Sequence, residues 1–529
     1  MLFPAVYELG FRAGQTFHAI WHHHAPLPSG TEVIHLIRDF PALYKEWWLN
    51  LVVRDPLHVA VETTLLLSLL YMVFIRVNKD DYKDSSKEKL TVAEQEELLS
   101  EWKQSRMPLS PPSPSQPKEV MPQIIVQSQQ GKHLMVTYDK DTAEGGTRQV
   151  LNFCNFDFLG MQTSPDLKKA SETALNKYGC GSCGPRGFYG TIDTHLQLED
   201  RIAQFTKTDA AIMYSDGAST CTSTVAAFAK RGDLLVVDEA VYEPIMTGVY
   251  LSRANVQWFK HNDMDDLERV LKELQLQDKK LGRKPNAQRR FIVVEGLYKN
   301  LGTIAPLDKI VELKHKYHYR LILDESFSFG TLGKTGRGSL EHFNLRPMYD
   351  AEIITIALEN SIGSIGGVTV GNEEIVDHQR LSGAGYCFSA SAPPFTASAA
   401  VASLNRMESH RDCITRLQEN VSYIYERLGK ADLTHLVVTS DERSPIVVLQ
   451  LYKESVYEAE ITSHIMHECL KRGIAVVATG QDPSSHLRTE LAPAIRMTVS
   501  TLHAREDIDL AVAILVESAK LVLARYPIE

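Results

Sequence analysis

The chain has 529 residues, of which 23% are charged and 44% hydrophobic, and its net charge is −10. These values exclude a disordered tail protein, a polytopic membrane protein and a general nucleic-acid binder, which would carry a basic stripe. Seven cysteines in so long a chain argue against a disulfide framework and for a reducing compartment.

Residues 1–21 carry Glu8 and Arg12 and hold no continuous apolar core, so no cleavable signal peptide is expected. The stretches FHAIWHHH (17–24) and FPALYKEWWLNLVV (40–53) mix Trp and Tyr with apolar residues. They read, with the rest of 1–55, as an interfacial helical segment. His22, His23 and His24 would point in different directions on a helix, so no metal site is read there. The run Leu57–Ile75 has one charge, Glu62. At about 1.5 Å per residue it reaches roughly 28 Å, near the thickness of a bilayer's hydrocarbon core. A transmembrane helix is expected over 56–77, with a buried or interfacial helix as the alternative because Glu62 falls within it. Lys45 and Arg54 precede the run and Arg76 and Lys79 follow it, so charge bias sets no orientation.

Residues 78–122 are polar and end in the Pro/Ser-rich MPLSPPSPSQPKEVMP, which reads as a linker. A large domain is expected over 123–400 and a smaller C-terminal α+β domain over 401–529. Short apolar runs at 210–215, 234–238, 291–297, 321–326, 353–358 and 368–371 read as buried strands. Helical stretches lie between them. DMDDLERVLKELQ (263–275) opens on an Asp cap, and PLDKIVELKHKYH (306–318) opens on a first-turn proline. Strands spaced by helices imply right-handed crossovers and a mainly parallel sheet. Further on, a helix is expected at 463–473 and strands at 444–451 and 494–500.

Two short patterns are decoys. Residues 179–184, GCGSCG, match G-x-G-x-x-G, but a helical stretch precedes them and Pro185 follows, the wrong context for a dinucleotide loop. Cys180 and Cys183 form C-x-x-C with no second pair, so neither zinc nor redox chemistry is read there.

GPRGFYGTIDTHLQLEDRIAQF (184–205), FKHND (259–263), LILDESFSFGTLGKTGRG (321–338) and YCFSASAPP (386–394) resemble the α-oxoamine synthases. These are pyridoxal-phosphate enzymes of the aspartate-aminotransferase fold (type I). The resemblance runs over roughly 100–529. With DHQRLSGAGYCFSAS (377–391), it is closer to the family of lysine-less long-chain-base subunits of serine palmitoyltransferase.

The resemblance implies specific roles. The family's Schiff-base lysine falls at Asn360, in IALENSIGSIGG (356–367), and no lysine lies between Lys334 and Lys430. A carboxamide nitrogen is delocalised into its carbonyl and cannot form an imine with an aldehyde. The pyridinium-pairing aspartate is retained as Asp324. Phe327 and Tyr242 stand where the family has histidines against the cofactor ring. Arg496 matches the arginine that grips a substrate carboxylate, with a structural ion pair as the alternative reading. Cofactor binding in cis is therefore not expected; Asp324, Tyr242, Phe327 and Arg496 are read as vestigial. Cys183, Arg186, Tyr189, Ser389 and Ser391 are expected to contribute in trans to the site of a partner, with plain interface packing as the alternative.

The implied function is that of a non-catalytic subunit in a heterodimer with a lysine-bearing catalytic subunit, which would hold the pyridoxal 5'-phosphate. The complex would condense L-serine with palmitoyl-CoA to 3-ketodihydrosphinganine, at the endoplasmic reticulum membrane with the folded body in the cytosol. Two alternatives stay open: a self-sufficient homodimeric synthase, and a purely regulatory membrane scaffold.

Overall fold

The computed structural model describes Val53, residues 56–79, 124–138 and 146–526, apart from 183, 284–287, 434, 453–454, 481–486 and 489–490. The chain divides into two compact units, Met1–Glu119 and Val120–Glu529. In the first, helix α1 runs Pro56–Lys79. The side chains from Leu65 to Leu70 are solvent-exposed all round it, Leu65, Leu66, Leu67 and Leu69 each by about 60%. The expected helix therefore forms, but among the described residues no helix is long and apolar enough to cross a membrane. The hydroxyl residues Thr63, Thr64 and Ser68 interrupt the apolar run, and Thr64 Oγ1 turns back to donate to the Ala60 carbonyl at 2.7 Å. The interfacial segment expected at 1–55 lies outside the described residues but for Val53.

The second unit opens with strands β1 (Ile124–Gln130), β2 (His133–Tyr138) and β3 (Thr147–Asn152), then helices α2 (Pro165–Tyr178) and α3 (Asp193–Thr206). The central stretch follows as β4 (Ala210–Tyr214), α4 (Gly217–Phe228), β5 (Leu234–Asp238), α5 (Glu243–Ser252), β6 (Asn255–Phe259) and α6 (Met264–Leu281). Next come β7 (Arg290–Glu295), α7 (Leu307–Tyr317), β8 (Arg320–Asp324), β9 (Ile353–Ala357), β10 (Gly367–Gly371) and α8 (Glu373–Ser382). The chain closes with α9 (Pro394–Ser409), α10 (Asp412–Lys430), β11 (Leu436–Val438), β12 (Ile446–Leu451), α11 (Glu458–Lys471), β13 (Ile474–Ala475), β14 (Val477–Thr479), β15 (Ala494–Thr498) and α12 (Arg505–Leu523).

Seven strands form the central sheet in the order β4-β10-β9-β8-β7-β5-β6. It is mixed: β5 to β9 pair in parallel, and β10 runs antiparallel to both β4 and β9. All six strands anticipated from apolar runs are present, because each is buried on both faces and needs no alternation. β6, NVQWF, was not anticipated. It lies at one edge of the sheet, and its half-exposed residues break the apolar run. α6 is capped as its sequence foretold: the Asp263 carboxylate accepts the Asp266 N–H at 2.9 Å. The helix continues past the expected 275 to Leu281 and ends on Gly282 in the left-handed region.

A second, four-stranded sheet has the order β1-β2-β3-β13, joining the start of this unit to its C-terminal part through the parallel pair β3–β13. A third has the order β11-β12-β15-β14. His503 helps lock β3 to the C-terminal segment. Its Nδ1 accepts the Ser500 N–H at 3.2 Å, which puts the ring proton on Nε2, donated to the Asn152 carbonyl at 2.9 Å. The ring stacks on Phe153 at 4.0 Å. Burial, first of all, pulls its pKa from 6.5 down to about 4. A histidine held neutral in the fold gives stability that is complete above its unfolded pKa and is lost as pH falls through the folded value. Unfolding of the full chain in urea should accordingly ease as pH drops from about 6.5 to about 4, and His503→Asn should flatten that dependence; a slope unchanged in the variant would refute this account.

Candidate functional site

In a sheet of parallel strands, the carboxyl ends of the strands open onto one crevice. Here those ends carry acids. Asp238, Glu295 and Asp324 are the last residues of β5, β7 and β8, and Glu359 and Asn360 follow β9. β7 and β8 pair so that Glu295 stands opposite Asp324.

Asp324 is 2% exposed. Its Oδ1 accepts the Ser326 N–H at 3.0 Å. Its Oδ2 accepts the hydroxyls of Thr355 at 2.7 Å, Ser326 at 3.1 Å and Tyr242 at 3.4 Å. Burial raises its pKa, and the hydrogen bonds oppose that rise. Glu295, wholly buried, accepts the Tyr242 N–H at 2.8 Å and the Lys299 N–H at 3.0 Å. Burial and then the neighbouring Asp324 charge push it well above the usual carboxylate range.

Aromatic rings pack above these acids. Tyr242 meets Phe327 edge-on at 5.9 Å, and Phe327 meets Phe156 edge-on at 4.9 Å. Tyr242 and Phe327 are each 5% exposed. The Arg496 guanidinium lies 4.6 Å from the centre of the Phe156 ring. It makes no ion pair among the described residues, its Nε has no partner, and burial lowers its pKa. The ion pair considered for it is absent there.

Asn360 is buried, and its Nδ2 donates to the Ser326 carbonyl at 2.7 Å. Its neighbour Glu359 turns to the first turn of α4, where Oε1 accepts the Gly217 N–H at 2.7 Å. Lys299 carries a primary amine on the outer side of the cluster. Its Nζ is 3.3 Å from Glu243 and 5.8 Å from the Tyr242 ring centre, so the ammonium is held by a carboxylate.

The residues expected to act in trans lie on two loops fastened together. Ser391 donates twice to the Gly184 carbonyl, from its N–H and its hydroxyl, each at 2.9 Å. Ser182 Oγ donates to the Ser391 carbonyl at 3.1 Å. Gly190 has to be glycine, because a Cβ there would meet the Gly184 oxygen at 1.9 Å and Ser391 Oγ at 2.3 Å. Ser389 Oγ is 3.1 Å from Ser215 Oγ, beside the start of α4. Tyr189 is 97% exposed and stands with Phe188 and Phe388 as uncovered aromatics of these loops. Cys183 lies outside the described residues.

Arg186, expected to reach a partner, is instead engaged inside its own subunit. It is 5% exposed, its Nη1 pairs with Glu199 at 2.9 Å, and its Nε donates to Thr191 Oγ1 at 3.1 Å. Glu199, 4% exposed, also accepts the Met213 N–H at 2.8 Å. Glu199, Glu295 and Glu359 were missed by sequence reasoning. A glutamate at a strand end or on a helix has no spacing signature of its own.

Residues 148–515 match the family model for class I and II aminotransferases. The chain is 41% identical to serine palmitoyltransferase 1 of Dictyostelium discoideum, over 73% of this chain and 77% of the relative. It is 42% identical to long chain base biosynthesis protein 1 of Arabidopsis thaliana, over 73% and 75% respectively. A solved structure of SPT with PLP internal aldimine superposes with a TM-score of 0.66 at 23% identity, covering 76% of this chain and 93% of that one.

Proposed function

The chain belongs to the serine palmitoyltransferase 1 family within the class I and II aminotransferases, and from that premise we propose that it is the non-catalytic subunit of a serine palmitoyltransferase. The complex condenses L-serine with palmitoyl-CoA, releasing CO2 and CoA and forming 3-ketodihydrosphinganine. The partner is a lysine-bearing chain of the same fold, and the partner holds the pyridoxal phosphate.

One observation carries this reading. Where the fold needs an amine, a buried carboxamide is spent on the Ser326 carbonyl at 2.7 Å. Its surroundings do not fit the cofactor either. Asp324, which would face a pyridinium nitrogen, already accepts three hydroxyls and one backbone N–H. Tyr242, Phe327 and Phe156 pack against one another across it. No chemical step is therefore assigned to this chain's own cleft.

What the chain offers outward is the pair of fastened loops. Their polar groups bond to one another, which fixes the backbone, while Tyr189 is left free to enter a neighbouring site. Arg186 is a poor probe of that contribution, because removing one member of a buried ion pair costs about 3–5 kcal/mol of fold stability. Helix α1 supplies attachment. Exposed leucines on every side of it suit a bilayer, and acyl-CoA substrates partition there too, so the body sits at the cytosolic face of the endoplasmic reticulum membrane.

Three measurements test these statements. Tyr189→Ala, in a complex that still co-purifies, should lower turnover about tenfold, or about 1.4 kcal/mol in barrier; an unchanged rate would favour the regulatory scaffold. The purified chain, incubated with pyridoxal phosphate, dialysed and treated with borohydride, should carry no stoichiometric pyridoxyl-lysine. Finding one would favour the self-sufficient synthase. Deleting 56–79 should release the chain from membranes on carbonate washing, and retention would assign attachment elsewhere.

A further inference from the structure

Helix α4 starts at Gly217, and its first N–H groups have no partner within the helix. A helix start of this kind, beside a crevice at strand ends, ordinarily receives a phosphate or another anion. In this chain the anion is built in. The Glu359 carboxylate accepts the Gly217 N–H at 2.7 Å. Gly217 has to be glycine, since a Cβ would stand 2.7 Å from Ala357 Cβ as well as 2.6 Å from Glu359 Oε2. A second carboxylate, Asp216, caps the same turn by accepting the Ser219 N–H at 2.7 Å. Burial raises the Glu359 pKa, and the Asp216 charge adds to the rise.

We infer that Glu359 is a tethered anion that closes this helix start to phosphate. The chain then excludes a phosphorylated cofactor twice over. Asn360 removes the amine, and the adjoining residue fills the seat where the phosphate would bind. The two devices are chemically separate, and restoring a lysine at 360 would leave the second intact. A free phosphate must displace a carboxylate held at high effective concentration by its own backbone. It must also approach Asp216, a like charge. The inference concerns this chain's own affinity for an anion and holds with or without a partner subunit.

The test is calorimetric titration of the full chain with inorganic phosphate at neutral pH. Two variants are compared with the unaltered chain: Glu359→Ala, and Glu359→Ala combined with Asp216→Ser, which keeps a capping oxygen but removes the second charge. The unaltered chain should show no saturable binding in the millimolar range. The double variant should bind at least tenfold more tightly, with Glu359→Ala between the two. Equal binding by all three, or no gain in either variant, would overturn the inference. Should the alanine variants fail to fold, Glu359→Ser with Asp216→Asn empties the seat and removes both charges while keeping a capping oxygen; no gain of phosphate binding there would overturn it equally.

Discussion

Burying Asp324 and Glu295 side by side at the end of a sheet is unfavourable unless each carboxylate meets donors, and Tyr242 serves both. Its backbone N–H goes to Glu295 and its hydroxyl to Asp324. That double duty fixes where α5 begins, since Tyr242 is the residue from which the helix leaves. It also fixes where the ring lies. Phe327 then packs against that ring and Phe156 against Phe327, so the crevice is filled as a consequence of how two acids are satisfied. An ammonium at 360 would have offered these acids a positive charge close by. Without it the site depends on hydroxyls and N–H groups, which stabilise a buried carboxylate but contribute no reactivity.

Arg496 shows what this filling leaves over. Its guanidinium has lost any carboxylate partner among the described residues and rests on the face of Phe156. A cation on an aromatic face is worth about 0.5–2 kcal/mol, less than a buried charge costs in isolation. The balance is tolerable only because the group is not wholly enclosed. Acids and arginine therefore survive in the same cleft without meeting, separated by the aromatic layer.

The parts of this arrangement legible in the sequence are those with a local signature. Buried strands announce themselves as apolar runs, and the missing lysine shows because its motif surrounds it. β1 was not legible: IIVQSQQ is exposed along most of its length. Its sheet is completed by β13, more than 300 residues away, a pairing no local pattern encodes. The edge strand β6 hid because its alternate residues face solvent, whereas β4, at the other edge, is buried and reads as an apolar run. The partnership of Arg186 with Glu199 was equally hidden, because it depends on the 184–190 loop folding back over the start of α3. Hydropathy and length predict a transmembrane helix over 56–77; a helix forms at Pro56–Lys79, but hydroxyl residues break its apolar run and, among the described residues, no helix is long and apolar enough to cross a membrane.

The same economy shapes the two fastened loops. Arg186, Ser391, Ser182 and His195 each make hydrogen bonds inside the subunit; His195, for instance, bonds the Ala392 carbonyl through Nε2 at 2.8 Å. Each bond removes a freedom from one of the two loops, and a loop that is already ordered loses little entropy on docking. Retention of such residues is therefore evidence of a shaped surface before it is evidence of a reaction. The groups left facing outward, Tyr189, Phe188 and Phe388, combine apolar area with at most one polar tip, the composition of an anchor at an interface. In these loops the inward-facing half acts as scaffold, while the outward-facing half, Tyr189, Phe188 and Phe388, is left exposed.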